Sequence, residues 1–63
     1  MFKVGDRVIY SDHTDDYDQE VGTIKGISNN SLEIQFDCDA QNTTKLFSNS
    51  GKFKKVDIQS IFN

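Results

Sequence analysis

Apolar and polar residues alternate most regularly from Ser31 to Phe36, where Leu32, Ile34 and Phe36 fall on one face and Glu33 and Gln35 on the other. A period of two predicts a half-buried strand with one wet face, here spanning 31–37. Before it, Glu20–Ile27 is a second β-rich run, and Ser28-Asn29-Asn30 is a short polar turn, so 21–36 reads as a hairpin. Asn29-Asn30 suits a tight turn because Asn tolerates positive φ. Gly22 and Gly26 interrupt the earlier run, and glycine inside a strand marks a bend or bulge. Ile24 and Ile27 are three apart, so a bulge near Gly26 is needed to bring both inward. Upstream, Gly5-Asp6 signals a turn and Arg7–Tyr10 a first strand with Val8 and Tyr10 inward and Ile9 on the other side, at an edge. Downstream, Thr43–Phe47 predicts a fourth strand, 48–51 a turn, and Lys52–Val56 a hairpin partner with Phe53 inward. Ile58 and Ile61 predict one short 3₁₀ turn before a closing strand. The expected core is Val4, Val8, Tyr10, Ile24, Ile27, Leu32, Ile34, Phe36, Phe47, Phe53, Val56 and Ile61.

Five or six short strands bent by glycines predict an all-β chain, a small barrel forming a single domain over 1–63. A chain of 63 residues buries only about 60% of its unfolded surface, so the core is small and stability marginal. With one cysteine, Cys38, and one histidine, His13, it builds neither an internal disulfide nor a four-ligand structural zinc site. No apolar run approaches the ~20 residues of a membrane helix, and the start lacks a signal-peptide segment. The expected location is cytoplasmic, with no membrane contact. On that reading Asn29-Asn30-Ser31 and Asn42-Thr43-Thr44 match the glycosylation pattern by chance.

The net charge is −3, and the excess lies in the first half of the chain. Residues 11–20, Ser-Asp-His-Thr-Asp-Asp-Tyr-Asp-Gln-Glu, form an aperiodic connection of ten residues with five acids. Hairpin loops normally take 2–5 residues, and longer ones are more often functional.

Three stretches together resemble a known group: Phe2-Lys3-Val4-Gly5-Asp6-Arg7-Val8, then Val21-Gly22-Thr23-Ile24-Lys25-Gly26-Ile27, then Leu32-Glu33-Ile34-Gln35-Phe36-Asp37. They look like the SH3-like small barrels of the Tudor/KOW type, which open on a G-D-x-V strand. Leu46–Phe53 is similar to an aromatic-plus-D-G-[KR] segment of small SH3-like proteins encoded by phages and bacteria, with Ser50 where that pattern is acidic. The resemblance covers roughly 2–62. It implies an SH3-like barrel of five or six strands. It also implies binding of peptides, proteins or nucleic acids rather than catalysis.

Four constellations bear on chemistry. Asp12, Asp15, Asp16, Asp18 and Glu20, with Tyr17 the one large apolar side chain among them, make an acidic docking surface for a protein. The same oxygens are candidates for a hard cation, but the spacing is not that of an EF-hand and the loop lacks its glycine. Tyr10, Tyr17, Phe47 and Phe53 are candidates for an aromatic pocket of the kind that takes methylated lysine or arginine by cation–π attraction. Alternation assigns all of these aromatics except Tyr17 to the core. Lys45, Lys52, Lys54 and Lys55, interleaved with Phe47 and Phe53, form an alternative nucleic-acid strip, although lysines also guard strand edges. His13 and Cys38 lie in loops with no sign of an oxyanion site.

The expectation is therefore a non-enzymatic binding module without cofactor or metal. It would contact an unknown protein through 11–20 and the adjacent 37–42 loop. The alternatives are nucleic-acid binding through 45–55 and a self-associating structural piece, with the chain a monomer or weak homodimer.

Overall fold

The computed structural model describes residues 1–49 and 51–56. They form five strands: β1 (Arg7–Tyr10), β2 (Val21–Ile27), β3 (Ser31–Phe36), β4 (Lys45–Ser48) and β5 (Phe53–Lys55). All pairings are antiparallel, and the order across the sheet is β4-β3-β2-β1-β5. Among the described residues no helix is long and apolar enough to cross a membrane. The 3₁₀ turn expected at Ile58–Ile61, and Ile61 as a core residue, lie outside the described residues.

The β2–β3 hairpin is the centre of the sheet. Ile24 pairs with Ile34, and the register then shifts so that Gly26 pairs with Glu33 and Ile27 with Leu32. This irregularity is the bulge expected near Gly26. Beside it the backbone of Ile24 donates to Asp6 O at 2.9 Å and accepts from Gly5 N at 2.8 Å, so the turn before β1 closes onto the bend. Gly22 has a different reason. A Cβ there would lie 2.8 Å from Ile34 Cγ2 and 2.9 Å from the Gln35 carbonyl oxygen, so the backbones meet too closely for a side chain. The hairpin turn runs from Ser28 to Ser31, whose carbonyl accepts from Ser28 N at 2.9 Å. Among the described residues the non-glycine positive φ values fall at Gln19 and Asn42, not at Asn29 or Asn30.

Val8, Tyr10, Ile24, Leu32, Ile34, Phe36 and Phe53 form the buried core, with Phe2, Tyr17 and Phe47 packed against it. Two residues assigned inward from the sequence are exposed: Val4 at 62% and Ile27 at 44%. Val4 sits in the tight turn closed by Asp6 N donating to Lys3 O, and Phe2 packs inward in its place. Ile27 faces the same way as Leu32, but it stands at the end of the hairpin, where the core stops. Val56 and Phe47 are half-buried. Ile9 is half-buried too, and β1 is an inner strand, flanked by β2 and β5, rather than an edge.

The expected hairpin between the fourth and fifth strands does not form. β5 pairs with β1 through Val8↔Lys55, Ile9↔Lys54 and Tyr10↔Phe53, so the chain crosses from one edge of the sheet to the other after Ser48. β4 and β5 are thus the outermost strands. Among the described residues no ladder joins them, and the sheet is not closed into a barrel. It is nonetheless curled, because the Phe47 and Phe53 rings on those two strands lie 5.6 Å apart. The two inward rings meet in the core while the backbones of the edge strands stay apart.

Candidate functional site

The 11–20 connection is built by its own aspartates. Asp12 Oδ1 accepts from Thr14 N at 3.0 Å and from Thr14 Oγ1 at 2.6 Å, and Asp15 Oδ1 accepts from Tyr17 N at 2.8 Å. The two bonds from Thr14 N and Tyr17 N join an aspartate side chain to the backbone two residues on, which Asp makes readily. Asp18 Oδ1 reaches back to Asp12 N at 2.8 Å. Backbone turns interleave with these: Asp15 N to Asp12 O, Asp18 N to Asp15 O and Glu20 N to Tyr17 O. Gln19, with φ of 66°, returns the chain to β1 by donating to Tyr10 O at 2.6 Å.

The other oxygen of Asp12 anchors the loop to the sheet. It accepts from the Tyr10 hydroxyl at 3.2 Å and from Lys52 Nζ at 2.8 Å. The Lys52 ammonium, followed by the two Thr14 bonds, holds the Asp12 carboxyl far below the ordinary carboxylate range. The same ion pair raises Lys52.

Tyr17 has an inward role that its neighbours in sequence do not announce. Its ring stacks on Phe36, with centroids 4.4 Å apart and planes inclined by 21°. Its hydroxyl donates to the Asp39 carboxylate at 3.0 Å, which ties the first long loop to the second. Burial, then the Asp39 bond, raises its pKa. Lys45 Nζ lies 5.5 Å from its ring centroid, within cation–π range. Tyr10, Phe47 and Phe53 extend this cluster, with Tyr10 4.9 Å from Phe47 and 4.7 Å from Phe53. The four aromatics considered as a pocket therefore pack on one another and on Phe36.

The 37–42 loop is held from two sides. Arg7 makes a two-pronged contact with Asp37, with Nη1 at 2.7 Å from Oδ1 and Nη2 on Oδ2, and Nη1 also donates to Thr23 Oγ1. Gln35 Nε2 donates to Ala40 O at 3.0 Å. Asn42, in the left-handed region at φ of 66°, turns the chain toward β4. Between this loop and the sheet lies an open groove of about 530 Å³ lined by Lys25, Gln35, Phe36, Asp37, Asp39, Gln41 and Asn42.

The sequence-derived sites are thus placed as follows. Asp12, Asp15 and Asp18 are half-buried and bonded within the loop, Glu20 is half-buried at its end, and Asp16 is exposed. Lys52, Phe53, Lys54 and Lys55 stand on the β5 side and Lys45 and Phe47 on β4, at opposite edges of the sheet. Lys55 lies 3.4 Å from Asp6, a second pairing besides that of Lys52. His13 and Cys38 are exposed. Desolvation, then Glu20, raises the Cys38 thiol, the opposite of activation. Among the described residues no three His, Cys, Asp or Glu converge to hold a metal ion. Sequence reasoning missed Arg7, whose partner Asp37 is distant in the chain, and Lys25, which reaches the groove wall from β2. No family model, no curated protein and no solved structure matches the chain.

Proposed function

We propose that this chain is a non-enzymatic protein-binding module on an SH3-like small barrel. Its contact surface is the 11–20 loop with the adjoining 37–42 loop and the groove beside it. The all-β sheet, the bulged second strand and the long first connection support the barrel reading. The observation that carries the binding surface is Tyr17, stacked on Phe36 and bonded to Asp39. It makes one rigid surface from two loops. A surface already ordered by its own hydrogen bonds loses little conformational freedom on binding.

The outward groups suit a basic partner. Asp16 is exposed, and the net charge of −3 adds a field of the same sign. The groove wall offers carboxylate and amide oxygens as acceptors, with the Lys25 ammonium beside them. The nucleic-acid reading draws less support, because Lys52 and Lys55 already face Asp12 and Asp6.

The test is partner recovery on immobilised protein from a cell extract at low and high salt. Wild type is compared with a triple variant, Asp15→Asn, Asp16→Asn and Tyr17→Phe, in which the ring stays on Phe36. Recovery should fall at least tenfold in the variant, and wild-type recovery should fall with salt. Equal recovery from both proteins would remove the loop surface from consideration.

A further inference from the structure

The two edges of the sheet are not protected alike. β5 carries Lys54 and Lys55 exposed on its three residues, the usual guard against pairing with another chain. β4 has no such guard. Its one charge, Lys45, is half-buried and laid over the Tyr17 ring, while its outward positions are Ser48 and Leu46, the latter 73% exposed. Leu46 is the most exposed apolar side chain on any of the five strands. Among the described residues β4 pairs with β3 alone.

We propose that β4 pairs antiparallel with β4 of a second copy, about a two-fold axis at Leu46, continuing the sheet from one molecule into the next. Residues directly opposite in such a pair share a face, which restricts the symmetric registers. Centring the axis on Leu46 sets the two exposed leucines against each other on the outer face. On the inner face it sets Lys45 of each copy opposite Phe47 of the other, so no like charges meet and each Lys45 stays over its own Tyr17 ring. Centring it on Phe47 instead sets Leu46 opposite Ser48 and leaves both leucines half-covered. Glu33, the outer-face neighbour of Leu46 on β3, is held by Thr44 Oγ1 at 2.7 Å, on the side of its own molecule. A contact through four-residue strands is small and belongs to the weak, transient class below about 1,200 Å². This pairing does not rest on the loop-binding reading.

Sedimentation measured up to about 1 mM should show a concentration-dependent approach to dimer, and Leu46→Lys should move that transition at least tenfold higher in concentration. Directly opposed residues lie about 4.5–5.5 Å apart at Cα, within disulfide range. Leu46→Cys in a Cys38→Ser background should therefore oxidise to a covalent dimer. Ser48→Cys in the same background should not, since the axis at Leu46 separates the two copies of residue 48 by roughly 13 Å along the strands. The loop variant Asp16→Lys should dimerise as wild type does. Wild type that stays monomeric throughout overturns the proposal. A dimer insensitive to Leu46→Lys, or preferential cross-linking through residue 48, overturns it equally.

Discussion

The β2–β3 hairpin and the 11–20 loop are both ordered, but by different forces. In the hairpin, Ile24, Leu32, Ile34 and Phe36 are wholly buried, and burial of their apolar surface specifies the register. In the loop the single apolar anchor is Tyr17, and the order comes from aspartate oxygens accepting backbone and hydroxyl donors. Hydrophobic order is non-directional and insensitive to pH. Carboxylate order is directional and lasts only while the groups are ionised. One small molecule thus carries a core that tolerates chemical conditions and a surface that responds to them.

The largest effects should come from the hairpin. Phe36→Ala removes a fully buried ring that touches Tyr10, Tyr17 and Phe47, and should destabilise the fold by about 3–5 kcal/mol in urea unfolding. For a domain of this size that leaves little folded protein. The two strand glycines divide next. Gly22→Ala drives a methyl group into Ile34 and the β3 backbone and should cost about 1–3 kcal/mol. Gly26→Ala meets first the Oε1 atom of Glu33, the far end of a flexible side chain, and should stay within about 0.5 kcal/mol of wild type. Equal costs at the two sites would show that the bulge, not close approach, is what both glycines serve.

Tyr17 joins the two kinds of order, so its variants separate them. Tyr17→Phe keeps the stack on Phe36 and deletes the bond to Asp39, and should lower the urea midpoint less than Tyr17→Ala does. Both should fall short of Phe36→Ala, whose ring is completely enclosed. The sharper readout is amide exchange at 37–42. Protection there should fall in Tyr17→Phe while the hairpin amides keep theirs. Unchanged exchange would mean that Arg7 and Gln35 hold the second loop unaided.

Alternation in the sequence reveals the hairpin because its stabilising contacts repeat at a period of two. Leu32, Ile34 and Phe36 face inward as that period requires, and the need to turn both Ile24 and Ile27 to one face locates the bulge. What the period does not reveal is where the core ends. Val4 and Ile27 are apolar and suitably placed, yet one lies in a turn and the other beyond the last covering side chain. The path of β5 is also hidden, since a turn signal at 48–51 is compatible with a local hairpin or a crossing to β1. The loop is legible only as charge. Within the loop its aspartates act through bonds two to six residues away, Asp12 also reaches Lys52, and Tyr17 acts through Phe36 and Asp39, which the chain places far from it. Asp-x-Thr and Asp-x-Tyr steps at 12–14 and 15–17 are the one local sign, being turn-forming spacings.

The smallest expected effect is the acid response, and its sign follows from Asp12. Its carboxyl titrates below the ordinary range in the folded chain, because of Lys52 first and Thr14 next. As pH falls below about 4, the unfolded chain binds a proton that the folded chain refuses. The contribution of Asp12 is therefore complete above that pH and is lost on further acidification. Asp6, held low chiefly by the Lys3 backbone amide, and Asp37, held low by Arg7, act with the same sign. Asp12→Asn keeps an oxygen for Thr14 but loses the charge facing Lys52. Its urea midpoint should lie below wild type at pH 7, and the gap should narrow as both are taken toward about pH 2. Asp12→Ala, which also removes the Thr14 bonds, should stay below wild type at every pH. A gap for Asp12→Asn that does not close in acid would assign the role of this residue to its shape alone. The loop would then be ordered as the hairpin is, without regard to ionisation.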